Sequence, residues 1–256
     1  MSEQVRTRRE PPPFRRAALR HVEDLTPRLR RVVLGGPDLA GMPTPEPAAS
    51  VRLLLPPSGR RKIIWPTWTG NQFELPSGER APIRTFTPRS LDGDSLTLDL
   101  VLHERGATID WIHAARLGDE VAVSGPGRGY DIDPEAGSFL LAGDESALPA
   151  VGQLLEALPT DVTVTVHVEI AERSAQLDLP AHPGATIVWH EADAGASPGD
   201  RFVAAIEAIE DLPDRIWVAG EAAAVQRVRK HLFDGRGIAR SAATIRGYWK
   251  VGRAET

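Results

Sequence analysis

The chain has 256 residues, of which 41% are hydrophobic and 25% are charged, and its formal net charge at pH 7 is −5. These values are typical of a globular protein with one or two domains, and they do not favour nucleic acid or an anionic membrane surface as a partner. The chain contains no cysteine, which excludes disulfides, thiolate zinc sites and iron–sulfur clusters held by its own side chains.

No apolar run approaches the roughly 18 residues that a membrane span requires, and the N-terminus lacks the apolar core of a signal peptide. We therefore expect a cytoplasmic protein without a membrane partner. The seven histidines are scattered, with no H-x-x-x-H pair, so no protein-bound metal is expected.

The first half of the chain contains short segments rich in valine and leucine that end at glycine or proline, a pattern that predicts β-strands. The predicted strands are residues 15–25, 30–36, 50–57, 94–104 and 119–126. In residues 94–104 apolar and polar residues alternate, which places Leu96, Leu98, Leu100 and Leu102 on one face. Several short strands separated by turns predict a small antiparallel barrel. The connection from Pro56 to Pro82 is long and is expected to form an extended hairpin or a functional loop.

The second half alternates strands with helices, which predicts a parallel sheet covered by helices. The predicted strands are residues 138–143, 162–170, 186–190, 215–220 and 241–249, and the predicted helices are residues 146–159, 200–212 and 221–233. The fold class expected is α/β with a β-barrel: an N-terminal antiparallel β-barrel domain over residues 14–134, then a parallel-sheet α/β domain over residues 135–256.

Two turns of the predicted parallel sheet carry acidic residues directly after a strand. They are Gly143-Asp144-Glu145, followed by Ser146 and Ala147, and Gly220-Glu221. Ligands of open parallel sheets bind at the carboxyl ends of strands where the strand order switches. The alternative is that these acids stabilise the following helix dipoles, each by about 0.3–1 kcal/mol.

The segment "IRTFTPR" (residues 83–89) resembles the R-x-[YF]-[TS] flavin motif of ferredoxin-reductase-like enzymes. On a strand, Arg84 and Phe86 point to the same side, so a guanidinium and an aromatic ring can contact one ligand. Thr85 lies between them, and Thr87 follows. Four letters alone are weak evidence, since an ordinary strand with a buried Phe fits them too.

The order of further motifs makes the resemblance specific. Residues 102–130, the "GDESALPA" turn and the C-terminal "GYWKVG" together resemble the siderophore-interacting protein family of flavin-dependent ferric-siderophore reductases, over about residues 15–252. The matching positions are His103, Gly106, Thr108, Trp111, Ala115, Gly118, Asp119, Gly125, Pro126, Asp144, Glu145, Ser146, Ala147, Pro149 and Ala150. Two positions depart from the family pattern: Ala107 replaces a proline, and Phe86 stands where many members have tyrosine.

The resemblance implies roles for several of these residues and for the "IRTFT" strand. Arg84 contacts a flavin-side phosphate of FAD, and Phe86 and Thr87 contact the isoalloxazine. His103 and the Gly106–Thr108 turn cradle the pyrophosphate and ribose, with Trp111 in the same segment. The Asp144–Glu145 turn holds the nicotinamide side of NADPH or NADH through a carboxamide or ribose hydroxyls.

The reaction implied is transfer of electrons from NAD(P)H through FAD to Fe(III) in a siderophore, with release of Fe(II). Because ferric siderophores are often anionic, we expect basic residues to bind them: Lys250 first, then Arg246 and Arg128. Trp249 either walls the flavin pocket or is buried under the sheet. Arg173 follows a predicted strand at a place where an arginine can meet a 2′-phosphate, which favours NADPH, although the neighbouring Glu172 opposes this.

Two alternatives stay open from the sequence. One is another flavin-dependent electron transferase, of the flavin or ferredoxin reductase type, and the other is a non-catalytic ferric-siderophore-binding protein. A nucleic-acid-binding protein is not supported, since no binding motif is present and the net charge is negative. We expect a monomer.

Overall fold

The structure is a computed structural model that describes residues 11–102 and 106–252. Its N-terminal part is an antiparallel sheet of seven strands, accompanied by a two-stranded hairpin and one helix, α1 (Ala107–Ala114). The strands are β1 (Phe14–Thr26), β2 (Leu29–Gly35), β3 (Val51–Leu54), β4 (Thr67–Trp68), β5 (Phe73–Glu74), β6 (Ile83–Phe86), β7 (Pro88–Asp92), β8 (Ser95–Val101) and β9 (Glu120–Ser124). None of the described helices is both long and apolar enough to cross a membrane.

The seven-stranded sheet has the order β6-β3-β9-β1-β2-β8-β7 and curves into a half-barrel around an apolar core. The predicted face of residues 94–104 is confirmed, because Leu96, Leu98 and Leu100 are fully buried in this core and Leu102 packs against it. The opposite face of β8 also contacts its neighbour strand, because Asp99 forms a two-pronged ion pair with Arg31 of β2. The long connection contains the expected hairpin, which is β4 paired with β5.

The C-terminal part is a parallel sheet of five strands with the order β12-β11-β10-β13-β14. The strands are β10 (Ser138–Asp144), β11 (Thr163–Ile170), β12 (Ala185–Glu191), β13 (Arg215–Glu221) and β14 (Ala243–Trp249). The helices are α2 (Leu148–Ala157), α3 (Asp200–Glu207) and α4 (Ala222–Arg229), the last continuing as a π-helix over Lys230–Gly235. Because β10 pairs with both β11 and β13, the strand order switches beside β10, and the predicted fold class is confirmed.

The parallel sheet has an apolar core on each face. Helices α3 and α4 cover one face, where Leu140 and Ala142 of β10 are buried. Helix α2 covers the other, and this second core also takes in Leu29 and Tyr130 from the N-terminal part. One continuous apolar core therefore joins the half-barrel to the parallel sheet.

Polar contacts fix the same junction. Arg89 of β7 forms a two-pronged ion pair with Glu156 of α2. Ala48 has a left-handed backbone with φ of 56°, a conformation that is costly for a residue with a side chain. Its N–H donates to Gln153 Oε1 at 2.9 Å, and its carbonyl accepts from Arg246 at 2.8 Å. Contacts to the C-terminal part thus hold this strained residue.

Candidate functional site

The motif that resembles a flavin-binding strand is β6, an edge strand of the half-barrel paired only with β3 among the described strands. Arg84 is buried, with 9% of its surface exposed, and its Nη1 donates to the Ile83 carbonyl at 3.0 Å. Thr85 is exposed, and Phe86 is half-buried against the half-barrel core. The strand thus carries Arg84 and Phe86 on one side and Thr85 on the other.

Thr87 follows β6 directly and connects the two parts of the chain. Its hydroxyl donates to the phenol oxygen of Tyr248 on β14 at 3.3 Å. The Tyr248 ring stands edge-on to Trp217, with 6.4 Å between the ring centroids. Burial raises the pKa of Tyr248, although the bond with Thr87 opposes that rise. The "IRTFT" and "GYWKVG" segments, far apart in sequence, therefore meet at the junction.

Residues 106–111 form the start of helix α1 rather than the turn expected from the sequence. Gly106 precedes the helix with φ of 149°, a conformation that other residues rarely adopt. Ala107 is the first helical residue, and Thr108 and Trp111 are buried with 3% and 8% of their surfaces exposed. The Trp111 indole N–H is buried without a hydrogen-bond partner among the described residues. His103 lies outside the described residues.

Asp144 ends β10 and accepts four hydrogen bonds. Oδ1 accepts from the backbone N–H and the hydroxyl of Ser146, at 2.9 and 2.5 Å. Oδ2 accepts from the Glu221 N–H and the Trp249 indole N–H, both at 2.8 Å. Burial raises the pKa of Asp144, and these hydrogen bonds oppose the rise. A carboxylate offers about four acceptor positions, so donors from the protein itself occupy all the acceptor positions of Asp144.

Gly143, just before Asp144, is required by the packing of two strands. A Cβ atom at this position would lie 2.1 Å from the Ala219 carbonyl oxygen of β13 and 2.7 Å from the Cβ of Ala147. The glycine therefore permits a close approach between β10 and β13. Ala147 itself is fully buried.

Glu145 reaches from the parallel sheet to the half-barrel. Its two oxygens each lie 3.0 Å from Nε of Arg28, which sits in the turn between β1 and β2. Oε1 also accepts from the Ala171 N–H at 2.9 Å. The carboxylate of Glu145 is thus used in holding the two parts together, and a direct contact of Asp144 or Glu145 with a nicotinamide stays a prediction.

Glu221 caps helix α4, which agrees with the alternative that the acidic residues after the strands stabilise the dipoles of the following helices. Its side chain accepts from the N–H groups of Ala223 and Ala224 at the helix start, and Oε1 accepts from the Val251 N–H at 3.2 Å. Glu221 and Asp144 together tie the ends of β10, β13 and β14 to one rim. Trp249 is half-buried at this rim and is oriented by its bond to Asp144.

The three basic residues expected at the substrate side differ in their surroundings. The guanidinium of Arg246 donates to the carbonyls of Ala48, Arg128 and Gly129, at 2.8, 3.4 and 2.7 Å. Arg246 therefore links β14 to the half-barrel. The side chains of Arg128 and Lys250 are exposed, which leaves them accessible to an anionic ligand.

A cavity of about 300 Å³ opens at the carboxyl ends of β11 and β12. Its lining residues are Arg173, Gln176, Trp189, His190, Glu191 and Arg201. Nε of Arg173 lies 3.5 Å from Glu191 and the side chain is 83% exposed, while Arg201 pairs with Asp193 at 2.5 Å. Sequence reasoning singled out Arg173 but missed Trp189, which lies within β12, and Arg201, whose only signal was its position at the start of α3.

Two family models match the chain over nearly its whole length. One, described as a siderophore-interacting FAD-binding domain, matches residues 18–130, and the other, described as a siderophore-interacting protein, matches residues 136–252. The chain belongs to the siderophore-interacting protein family. The family membership expected from the sequence motifs is confirmed.

Relatives of this family member include proteins from three bacteria. An uncharacterized protein of Mycobacterium tuberculosis is 34% identical, covering 94% of this chain and 91% of that protein. A ferric vibriobactin reductase of Vibrio cholerae is 29% identical, covering 89% and 86%. An NADPH-dependent ferric-chelate reductase of Escherichia coli is 28% identical, covering 85% of each.

Solved structures place this family member in a wider fold. A siderophore utilization protein from T. fusca is 33% identical, with a TM-score of 0.84 and 96% of each chain covered. A ferredoxin reductase in carbazole 1,9a-dioxygenase is only 16% identical, with a TM-score of 0.66, 93% of this chain and 70% of that chain covered. The fold is therefore ferredoxin-reductase-like.

Proposed function

We propose that this chain is an FAD-dependent reductase that passes electrons from NAD(P)H to Fe(III) in a siderophore and thereby releases Fe(II). The observation that carries the proposal is the meeting of Thr87, at the end of the flavin-type strand, with Tyr248 on β14, the edge strand beside β13. This geometry puts the candidate flavin edge and the candidate nucleotide rim side by side. The names of the Vibrio cholerae and Escherichia coli relatives support the same activity.

The half-barrel offers groups that fit FAD. Arg84 supplies a buried guanidinium on an edge strand, which suits a phosphate. The start of α1 supplies backbone N–H groups behind Gly106, whose backbone conformation admits a close approach. Trp111 contributes a buried indole N–H without a partner among the described residues. Phosphate-binding and hydrogen-bonding groups thus lie within residues 18–130, the range that matches the siderophore-interacting FAD-binding domain.

The residues proposed to hold FAD follow from these positions. Arg84 and the Gly106–Thr108 segment bind the phosphates and ribose, together with His103. Phe86 and Thr87 orient the ring system, with Thr85 and Trp111 as neighbours of these groups. When bound, FAD takes two electrons from a nicotinamide and releases them one at a time, so electron transfer itself needs no general acid or nucleophile from the protein.

The nucleotide is proposed to bind along the carboxyl ends of the parallel strands. The rim formed by Asp144, Glu145, Ser146, Ala147 and Glu221 is rigid because its carboxylates are bonded to backbone N–H groups. It positions the nicotinamide, with Trp249 at its end. The cavity with Arg173 lies on the same side of the sheet, which favours NADPH over NADH because a guanidinium can pair with a 2′-phosphate.

An anionic ferric siderophore is proposed as the substrate. Arg128 and Lys250 present accessible positive charge next to the junction, and Arg246 acts mainly by holding this part of β14 against the half-barrel. Reduction releases the iron, because Fe(II) binds hard oxygen donors less tightly than Fe(III) does.

The test is an absorption spectrum of the purified protein, followed by titration with NADPH and NADH under nitrogen. We expect flavin absorption that bleaches with the nicotinamide and recovers on addition of a ferric siderophore, faster than with free flavin or ferredoxin as the acceptor. A protein that neither contains nor takes up FAD but binds ferric siderophore would instead be a binding protein. Faster recovery with free flavin or ferredoxin would identify a different electron transferase.

A further inference from the structure

Two histidines that are far apart in sequence face each other on the parallel sheet. His167 lies on β11 and His190 on the edge strand β12, on the same face of the sheet, since His190 pairs with Glu169, two residues beyond His167. Nδ1 of His167 lies 3.0 Å from Nε2 of His190. The ring centroids are 5.1 Å apart with an interplanar angle of 43°. Both rings are only partly buried, so solvent reaches them.

The spacing of the two nitrogens matches a chelate. With metal–nitrogen bonds of about 2.1 Å, two nitrogens 3.0 Å apart subtend an angle of about 90° at the ion. A tetrahedral site would separate them by about 3.4 Å. An angle of about 90° occurs between adjacent ligands in octahedral and square-planar coordination, which Ni²⁺ and Cu²⁺ favour with nitrogen ligands.

We propose that His167 and His190 form a two-histidine site for a divalent late transition-metal ion of the Ni²⁺ or Cu²⁺ class. Water completes the coordination, because no group of three or more His, Cys, Asp or Glu side chains suited to a metal occurs in the described part of the chain. Glu169, the acid on the same face, is engaged by the N–H groups of Gly199, Arg201 and Phe202 at the start of α3. The site does not depend on flavin, but His190 also lines the cavity proposed for the nucleotide, so metal binding is measured without nucleotide.

The experiment is calorimetric titration of the tag-free full-length protein with Ni²⁺, with Mg²⁺ as the hard-ion comparison. We expect one equivalent of Ni²⁺ to bind, Mg²⁺ to give no binding heat, and His167→Asn and His190→Asn each to weaken Ni²⁺ binding at least tenfold. His21→Asn is the matched control, since His21 is an exposed histidine on β1, and it should bind Ni²⁺ like the wild type.

Absence of Ni²⁺ binding to the wild type, or equal binding by all three variants, would overturn the proposal and leave a simple N–H···N hydrogen bond. Circular dichroism checks that the variants fold. If one does not fold, proton NMR of the wild type decides: sub-stoichiometric Ni²⁺ should broaden two histidine ring signals together. Broadening of all exposed histidines alike would contradict a chelate.

Discussion

The Thr87 hydroxyl and the Tyr248 phenol form a hydrogen bond of 3.3 Å that joins the end of β6 to β14 across 161 positions of sequence. Thr87 belongs to the half-barrel and Tyr248 to the last strand of the parallel sheet. The bond therefore fixes the candidate flavin edge relative to the candidate nucleotide rim. The two members can be tested separately, because only Thr87 lies in the flavin-type motif.

Replacing each partner separately tests that assignment. Thr87→Val removes the hydroxyl, and if that hydroxyl contacts flavin, the Kd for FAD should rise about three- to tenfold, the worth of one hydrogen bond. Tyr248→Phe removes the same protein hydrogen bond but leaves the Thr87 hydroxyl, so its Kd for FAD should stay within about twofold of the wild type. Fluorescence titration of flavin-free protein measures both values. Equal increases in the two variants would show that the bond itself, not the Thr87 hydroxyl, supports FAD.

The Arg28–Glu145 pair should contribute more to stability than an exposed pair does. The side chain of Glu145 is 10% exposed, so Arg28→Met leaves a largely buried carboxylate short of a donor and should lower the free energy of unfolding by about 2 kcal/mol. Arg20→Met breaks the Arg20–Asp94 pair, whose side chains are 43% and 41% exposed, and should cost much less stability because water screens an exposed pair. Urea unfolding gives both values.

The double variant Arg28→Met/Glu145→Gln separates the two contributions to that loss. Because it removes the unpaired charge, it should recover part of the stability lost in Arg28→Met. A loss in Arg28→Met no larger than that in Arg20→Met would show that the junction does not depend on this pair.

Most of the fold could be predicted from the sequence. Short strands with alternating apolar and polar residues indicate the antiparallel sheet, and strands that alternate with helices indicate the parallel sheet. Leu96, Leu98 and Leu100 are a direct example, since alternation alone put them in one core. Helix α3 was predicted too long, since it ends at Glu207 rather than at residue 212. Helix α1 was missed because "GATIDW" carries a glycine and β-branched residues, which favour a turn or strand over a helix locally.

The site was predictable only for residues that lie within motifs. The partners of the acidic residues were not predictable, because Arg28 and Trp249 reach Glu145 and Asp144 through tertiary packing. The sequence showed acids in a turn and left open whether they bind ligand or cap structure. These hydrogen bonds join residues that are far apart in the sequence, and such contacts leave no local sequence pattern from which they could be predicted.

We expect the hydrogen bonds of Asp214 to make the stability of the fold sensitive to acid. Its carboxylate accepts from the Ser138 hydroxyl and from the N–H groups of Gly137 and Ser138. These bonds hold its pKa below the ordinary value of 3.8. A carboxyl group with a lowered folded pKa stabilises the fold above its unfolded pKa, and this contribution is lost as the pH falls through the folded pKa.

Measuring the free energy of unfolding as the pH is lowered checks the direction of this effect. Wild type should lose stability below about pH 4, whereas Asp214→Asn should be less stable at neutral pH and lose less between pH 4 and pH 2. Asp211→Asn, an exposed change in the same loop, should follow the wild-type curve. Parallel curves for wild type and Asp214→Asn, measured by urea unfolding at each pH, would contradict the prediction.

Arg173 should determine the preference for the phosphorylated nucleotide. Its side chain is 83% exposed and only loosely paired with Glu191 at 3.5 Å, so it is available to a 2′-phosphate at the cavity rim. Because the site is exposed and screened, we expect Arg173→Ala to raise the KM for NADPH about fivefold, equivalent to about 1 kcal/mol. The KM for NADH should stay nearly unchanged, and added salt should weaken only NADPH binding in the wild type.

Steady-state kinetics with both nucleotides measure this preference, using Arg60→Ala as the control because Arg60 is an exposed arginine of the half-barrel. The control should change neither KM. Equal increases for NADPH and NADH in Arg173→Ala would mean that Arg173 supports the shape of the cavity rather than reading the phosphate. A change confined to NADPH would instead assign the 2′-phosphate to the carboxyl end of β11, since that strand ends at Ile170 and Arg173 follows in the next turn.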